Sequence, residues 1–403
     1  MMKALWFTGN GGIYTNAKNN YNGGGWVGAL TNEIINYYPN IKLGMAIPWK
    51  HEFKERQNDI DFYGIPPIKY GIIGYSQKLT QQLKIIKQIV EDFKPDIIHV
   101  FGSEHTGGMV CTITKIPVVI HLQGILAYCI QAWLPYNLSW EKYILWHYKH
   151  WFQKKYLKRA CETERKILTS CHYFMGRTEM DKSIISILSP KCNYYYCSEM
   201  LRPQIYTSKK IWTYHGNRKK KRIVSIISSP IYKGGDVILR AANVLKQYGM
   251  DFEWNVYGIN NMHEWEKLTH ITADTVNIKI GGIITAEQLI DNIIDADIFI
   301  HPSYIENSPN TVCEAQLLGI PVIATHVGGT ASIINHKNNG VLVPANDIFA
   351  IATYTLRLCT DINFATCISQ NGRQTALKRH LPKQIVDDVI SIYQEILQET
   401  QNR

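Results

Sequence analysis

The sequence predicts an α/β protein made of two domains, each organised around a parallel β-sheet. With 403 residues, the chain is longer than one hydrophobic core usually supports, so two domains are expected. Short apolar runs alternate with helical patterns through the first half, and the same alternation restarts near residue 222. A polar, basic stretch at residues 209–222 has the composition of a linker. We therefore expect two facing Rossmann-like domains, residues 1–205 and residues 206–385.

The strands of both domains are predicted from apolar runs that are too short to be helices and are bounded by polar residues. In the first domain these runs are residues 3–8, 41–47, 96–101, 117–122 and 172–177. In the second domain they are residues 222–227, 252–258, 276–281, 297–301, 322–325 and 340–343. Helical patterns separate the runs, for example at residues 79–93. The chain ends in a further helical pattern that starts near Pro382, and we assign residues 386–403 to a separate C-terminal helix.

The composition is that of an ordinary globular protein, with 45% hydrophobic and 19% charged residues. No segment has the pattern of a signal peptide, and no run approaches the roughly twenty apolar residues of a membrane span. The nine cysteines are scattered and contain no Cys-x-x-Cys, which favours isolated thiols over a metal site. We therefore predict a cytoplasmic protein without a bound metal.

Two glutamates flank a predicted helix start after the strand at residues 297–301. Glu306 falls in the loop, Ser308 is predicted as the N-cap, Pro309 as the first helical residue, and Glu314 lies about one and a half turns into the helix. In an open parallel sheet, ligands bind outside the carboxyl ends of the strands, and helix N–H groups attract phosphate. The pattern is suited to a nucleotide diphosphate with a carboxylate on either side. The alternative is a surface helix with two solvated glutamates.

This segment resembles the glycosyltransferase 4 family, which transfers sugars from nucleotide sugars with retention of configuration. The resemblance rests on the Glu-x7-Glu pair, on Gly319-Ile320-Pro321-Val322 and on Gly328-Gly329. It implies a GT-B fold in which the C-terminal helix crosses back to the first domain, and catalysis without a metal or another cofactor. It also implies that Glu306 holds the donor sugar and Glu314 the ribose. Other donor-binding residues implied by the resemblance are Ser308, Asn310, Thr311, Val312, Gly328 and Gly329.

A lysine follows the first strand of the second domain. Lys233-Gly234 matches the family's Lys-Gly element, and a compact cation beside helix N–H groups suits the charges of a leaving diphosphate. The family usually has an arginine five residues earlier, where this chain has Ser228. By itself, Lys-Gly would indicate only a surface turn, but together with the two glutamates we assign Lys233, Gly234 and Ser228 to the donor site.

The first domain contributes three candidate elements. Gly24 and Gly25 belong to a glycine-rich turn, where absent side chains let the backbone approach a phosphate or sugar. His121 ends a predicted strand and resembles the family histidine that reaches the donor sugar, although a core histidine is the alternative. Arg177 is predicted either to contact phosphate or to cap a strand end.

Residues 133–166 are rich in aromatic and basic side chains. Trp140, Ile144, Tyr148 and Phe152 recur every four residues, which predicts a helix with an aromatic stripe edged by lysines. Such a helix can lie in an anionic membrane interface, and the net charge of +10 agrees with this partner. The alternative is a core helix with solvated lysines. No nucleic-acid-binding module is recognisable, so nucleic acid is not an expected partner.

The expected function is therefore retaining transfer of a sugar from a nucleotide-diphosphate sugar. The expected acceptor is a glycan or a polyprenyl-diphosphate-linked sugar, in capsule, exopolysaccharide or O-antigen synthesis. Two alternatives stay open because architecture alone does not define chemistry. One is a GT-B sugar-nucleotide epimerase or phosphorylase, and the other is a non-catalytic nucleotide-sugar-binding protein.

Overall fold

The structure, a computed structural model, describes residues 1–10, 13–14, 25–68, 74–216 and 218–402. Gly24 therefore lies outside the described residues. The strands are β1 (Lys3–Phe7), β2 (Lys42–Pro48), β3 (Phe53–Gln57), β4 (Ile60–Ile65), β5 (Ile97–Phe101), β6 (Val118–His121), β7 (Tyr173–Gly176), β8 (Asn193–Tyr196), β9 (Lys221–Ile226), β10 (Phe252–Tyr257), β11 (Ile278–Gly282), β12 (Ile298–His301), β13 (Val322–Thr325) and β14 (Val341–Val343). The helices are α1 (Gly25–Tyr37), α2 (Tyr75–Phe93), α3 (Leu126–Cys129), α4 (Trp140–Trp146), α5 (Lys149–Ser170), α6 (Glu179–Leu188), α7 (Pro203–Tyr206), α8 (Gly235–Gln247), α9 (His263–Thr269), α10 (Ala286–Asp295), α11 (Asn310–Leu318), α12 (Ile348–Thr360), α13 (Ile362–Arg379) and α14 (Pro382–Gln401).

The chain forms two compact units whose boundaries differ from the predicted ones. The first unit comprises Met1–Tyr128, Ile144–Met200 and His380–Arg403, and the second comprises Cys129–Tyr143 and Leu201–Arg379. The predicted first domain, residues 1–205, thus includes a segment that belongs to the second unit. Local patterns could not show this, because that segment contacts residues about 100 to 170 positions further along the chain.

The first unit contains a mostly parallel sheet with the strand order β3-β4-β2-β1-β5-β6-β7-β8. The five predicted strands are present, and among the described strands only the β3–β4 pair is antiparallel. Helix α14 belongs to this unit, as the resemblance implies, because its apolar face enters the core beside β1. There the indole N–H of Trp6 donates to the Tyr393 hydroxyl at 3.0 Å.

The second unit contains a parallel sheet with the order β11-β10-β9-β12-β13-β14. All six predicted strands are present. Numbered within the unit, the order is 3-2-1-4-5-6, which is that of a dinucleotide-binding Rossmann sheet. The chain order reverses between β9 and β12, so the crevice outside their carboxyl ends is the place where a ligand is expected. Lys233 and Glu306 follow these two strands.

The aromatic and basic region does not form the single helix that was predicted. Helix α4 ends at Trp146 and α5 begins at Lys149, so the four-residue repeat is interrupted around Tyr148. Leu145, Tyr148 and Phe152 are nevertheless exposed, at 85%, 73% and 46%. Across the part of the chain that the structure describes, no helix combines the length and the hydropathy needed to cross a membrane.

Candidate functional site

The loop between β12 and α11 places Glu306 at the carboxyl edge of the second sheet. Helix α11 begins at Asn310, one residue later than predicted, and Pro309 occupies the cap position with extended dihedrals (φ −72°, ψ 107°). Ser308 is therefore not the N-cap, because an extended proline stands between it and the first helical turn. Ser308 is instead a buried loop residue beside the site.

Glu306 lies at the centre of a cluster of three charged or polar side chains. Lys233 Nζ donates to Glu306 Oε1 at 2.6 Å, and His301 Nε2 lies 2.9 Å from the same oxygen. The side chains of Lys233 and Glu306 are only 17% and 9% exposed. The sequence predicted Lys233 and Glu306 for one site, and the structure brings them into contact. It did not predict His301, although that residue ends a strand at the expected ligand edge.

The cluster fixes the charge of its two principal members. Burial by itself raises the pKa of Glu306, but the charge of Lys233 and the hydrogen bond from His301 outweigh burial and hold that pKa well below its ordinary range. Burial lowers the pKa of Lys233, yet the Glu306 carboxylate more than offsets this, and the pKa of Lys233 is raised. The site therefore contains a carboxylate and an ammonium at neutral pH.

Two features hold the Lys233 loop against the Glu306 loop. Gly234 has φ +77°, and a Cβ on it would lie 2.2 Å from the Pro302 carbonyl oxygen, so only glycine fits. The buried Asp236, at the start of α8, accepts hydrogen bonds from Tyr304 Oη at 2.6 Å and from Arg240 at 2.8 Å. The positions of Lys233 and Glu306 are thus coupled by backbone contact and by a side-chain network.

Glu314 has a partner that sequence reasoning missed. Arg202 Nε and Nη2 donate to Glu314 Oε1 and Oε2, each at 2.7 Å, and Glu314 is 3% exposed. This is a bidentate pair, the geometry for which a guanidinium is suited. Each carboxylate oxygen has a further lone pair, so the pairing leaves Glu314 able to accept from a ribose hydroxyl. No local pattern could reveal a partner 112 residues away.

The remaining predicted donor residues occupy varied positions. Gly329 N–H donates to the Glu306 carbonyl at 2.9 Å, and Gly328 precedes it with φ +51°, so the Gly-Gly turn supports the Glu306 loop.

The half-buried Thr311 has its hydroxyl 3.5 Å from His301 Nδ1. Asn310 is also half-buried, whereas Val312 is fully buried and Ser228 is exposed. Val312 packs in the core, so contact with a donor would have to come from its neighbours.

In the first unit, two predicted residues lie at the ends of neighbouring strands. His121 ends β6 with no exposed surface, and its ring meets the Trp26 ring edge-on with centroids 5.0 Å apart. Burial, assisted by the charge of Arg177, lowers the pKa of His121 to about 3 and keeps the imidazole neutral. Arg177 follows β7 and forms an ion pair with the buried Glu199 at 3.5 Å. Sugar contact by His121 and phosphate contact by Arg177 remain predictions.

A glutamate and a cavity near the same sheet edge were not predicted. Burial raises the pKa of Glu104, which follows β5, to about 7. A cavity of about 420 Å³ lies at the ends of β1, β2, β4 and β5, and its walls include Phe7, Ile65, Val100 and the α5 residue Tyr156. Among the described residues no lysine, arginine, aspartate or glutamate lines it. Gly25, which was predicted to let the backbone approach a phosphate or sugar, lies at the start of α1 and has φ +63°.

The fold and the cluster agree with what comparison with known proteins shows. Residues 220–361 match the family model described as "Glycosyl transferases group 1". The fold of the whole chain is similar to that of sucrose-phosphate synthase from Thermosynechococcus elongatus, with a TM-score of 0.75, 14% identity, and 99% and 100% of the two chains covered. It is also similar to Anabaena HepE in complex with UDP-glucose, with a TM-score of 0.61, 15% identity and complete coverage of both chains.

Two relatives in sequence agree with this family. The amylovoran biosynthesis glycosyltransferase AmsK of Erwinia amylovora is 31% identical over 144 residues, which are 34% of this chain and 35% of that protein. The capsular polysaccharide biosynthesis glycosyltransferase CapM of Staphylococcus aureus is 29% identical over 107 residues, or 27% and 28% of the two chains. The matched stretches thus span about a third of these relatives. Residues 220–361 are thus similar to a group 1 glycosyltransferase domain, and the predicted GT-B fold is confirmed.

Proposed function

We propose that this chain is a retaining glycosyltransferase that moves a sugar from a nucleotide-diphosphate sugar to a hydroxyl of an acceptor. The observation that carries the proposal is the buried contact among Lys233, Glu306 and His301, because it lies at the switch point of a Rossmann sheet and inside the matched family domain. The relatives named for amylovoran and capsular polysaccharide synthesis support a role in making a bacterial surface polysaccharide.

The chemistry that we propose uses charge placement rather than a bound metal. The bond between the anomeric carbon and the diphosphate oxygen breaks, the acceptor oxygen bonds to that carbon on the same face, and the acceptor proton passes to the departing diphosphate. Lys233 and the N–H groups at the start of α8 stabilise the negative charge that develops on the diphosphate. Glu306 keeps Lys233 protonated and accepts from a sugar hydroxyl, while Glu314, held by Arg202, accepts from the ribose.

The acceptor that we propose is a lipid-linked sugar bound by the first unit, with a soluble glycan as the alternative. A mainly apolar cavity suits a hydrocarbon segment better than a glycan, because the few polar side chains on its wall, such as Gln82 and His105, would satisfy only part of the glycan's hydroxyls. Helix α5 contributes Tyr156 to this cavity and also bears Trp151 and Phe152, which are 39% and 46% exposed. Lys155 Nζ lies 3.7 Å from the centroid of the Trp151 ring, so basic and aromatic groups are adjacent, as at a membrane interface.

The proposed activity is tested by incubating the purified chain with a panel of nucleotide sugars and extracted lipid-linked acceptors, with released nucleoside diphosphate and product mass as readouts. Glu306→Gln should abolish transfer and keep the native circular dichroism spectrum, because an amide cannot replace the carboxylate beside Lys233. Near-native turnover of this variant would contradict the assignment. Isomerisation of the donor without acceptor would identify an epimerase, and binding without any turnover would identify a binding protein.

The membrane partner is tested separately by sedimentation with anionic and neutral liposomes at low and high salt. We expect binding to anionic liposomes that salt weakens, since each basic residue near such a surface contributes about 1 kcal/mol. The substituted variant changes four lysines of α5 to glutamine: Lys149, Lys154, Lys155 and Lys158. If lipid charge, salt and these changes leave sedimentation unaltered, the soluble acceptor is favoured.

A further inference from the structure

A short segment from the first half of the sequence is built into the second unit. We call residues 129–143 the aromatic strap; they belong to the second unit, whereas the chain on either side of them belongs to the first. Tyr143, at the end of the strap, is 3% exposed and donates from its hydroxyl to Glu264 Oε2 at 2.9 Å. The strap is therefore fixed to the unit that contains the Lys233 and Glu306 cluster.

Two rings of the strap pack on the two loops that carry this cluster. The Trp133 ring lies 4.9 Å from the Tyr232 ring, and the Tyr136 ring lies 5.5 Å from the Tyr304 ring, measured between centroids. Tyr232 directly precedes Lys233, and its ring centroid is 5.2 Å from Lys233 Nζ. The loops themselves are joined, because Tyr304 N–H donates to the Tyr232 carbonyl at 2.8 Å. The strap thus contacts both sides of the proposed donor site.

Trp133 carries a polar atom that the protein does not satisfy. Its Nε1–H is buried, and no acceptor lies within hydrogen-bond distance among the residues that the structure describes. Buried indole N–H groups usually find a partner, because leaving one unpaired is costly. An acceptor oxygen brought by a ligand would remove this cost, and the donor proposed for the adjacent Lys233 and Glu306 offers both phosphate and hydroxyl oxygens.

We propose that Trp133 is a donor-binding residue whose indole N–H donates a hydrogen bond to an oxygen of the bound nucleotide-diphosphate sugar. The part of the aromatic strap around Trp133 is then a wall of the donor site, and Trp133 contributes to selecting the donor. This inference rests on the proposed function, since it takes the nucleotide sugar as the ligand. The oxygen belongs either to the diphosphate or to the transferred sugar, and the two sources have different consequences for binding.

The test compares Trp133→Phe, which keeps a ring against Tyr232 and removes the N–H, with the matched control Tyr136→Phe. The control removes a hydroxyl from a ring of the same strap that is 59% exposed. Calorimetry with UDP and UDP-glucose, and with GDP and GDP-mannose, identifies the pair that the native chain binds more tightly. For that pair we expect Trp133→Phe to weaken nucleotide-sugar binding roughly 3- to 30-fold, the range of one hydrogen bond, and Tyr136→Phe to leave it unchanged.

The pattern of losses identifies the oxygen. An equal loss for the nucleoside diphosphate and the nucleotide sugar indicates a phosphate oxygen, and a loss confined to the nucleotide sugar indicates a sugar hydroxyl. A second readout does not depend on folding of the variant: the 15N-indole resonance of Trp133 in the native chain should move on addition of the nucleotide sugar. If Trp133→Phe binds both ligands normally, or if this resonance stays fixed at saturation, the inference is overturned while the proposed function stands. A native chain that binds neither these four ligands nor any other member of the nucleotide-sugar panel overturns both.

Discussion

Replacing Lys233 by alanine should destabilise the second unit as well as weaken donor binding. The change removes the cation 2.6 Å from a carboxylate that is 9% exposed. Removing one partner of a buried ion pair costs about 3 to 5 kcal/mol, because the other charge stays desolvated. His301, at 2.9 Å from Glu306, can compensate in part, so we expect about 3 kcal/mol. The double variant Lys233→Ala, Glu306→Gln should be more stable than the single one, since it leaves no unpaired charge.

The assay is urea unfolding of the full chain at neutral pH, followed by tryptophan fluorescence. The matched control is Lys210→Ala, which breaks the ion pair with Asp291. Both of these side chains are more than half exposed, so the control should lower the free energy of unfolding by at most about 1 kcal/mol. The pKa of Glu306 lies below its ordinary value of 4.5. The ion pair therefore stabilises the native chain at pH values above about 4.5, and this contribution is lost as the pH falls further. The cost of Lys233→Ala should therefore shrink in acid. Equal midpoints for native chain and single variant, or no recovery in the double variant, would refute this reasoning.

Three further predictions concern other parts of the chain. Burial raises the pKa of Glu104 to about 7, so the contribution of this carboxyl to native stability should fall as the pH rises from about 4.5 to 7, by up to about 3 kcal/mol, while the buried neutral His121 contributes with the opposite sign. Glu104→Gln should remove this loss, and identical pH dependence of the urea midpoints of native and variant would contradict it. Arg202→Lys should lower the midpoint, because an ammonium cannot donate two parallel hydrogen bonds to Glu314; a native-like midpoint would count against the bidentate pair. Transfer activity, once detected, should persist in excess EDTA, and complete, metal-reversible inhibition would exclude the metal-independent reaction.

The sequence predicted both sheets except for three strands of the first, β3, β4 and β8, of which β3 and β8 are its edges. Strands inside a parallel sheet are buried on both faces and appear as continuous apolar runs. Strand β3 has the sequence FKERQ and is mostly exposed, so its pattern resembles a loop. The edge strand β8 was missed with it, and so was β4, which lies between β3 and β2 and is mostly buried, so edge polarity does not account for β4. Polar residues along an edge protect the sheet from pairing with other chains, and the same residues hide the strand from a hydropathy pattern.

The site was predicted to the extent that its residues follow sheet strands in sequence. Lys233 and Glu306 each follow a strand at the switch point, which is why a pattern of strands and turns could place both at one edge. Arg202 and Trp133 approach the site from segments outside that pattern. Their partners are fixed by tertiary packing alone, so neither motif spacing nor periodicity contains information about them.

Two ion pairs at the proposed donor site place a condition on donor binding. Lys233 with Glu306, and Arg202 with Glu314, are each electrically neutral as a pair. A diphosphate therefore meets no uncompensated side-chain cation in these pairs, and the exposed Ser228 stands where the glycosyltransferase 4 pattern that the sequence resembles usually has an arginine. For the proposed donor to bind, Lys233 must share its charge between Glu306 and the phosphate, while Glu306 gains a sugar hydroxyl in exchange. In that exchange one hydrogen bond replaces another. The Lys233–Glu306 pair can therefore hold both side chains in position before the donor arrives, and breaking this contact costs little free energy when the donor binds.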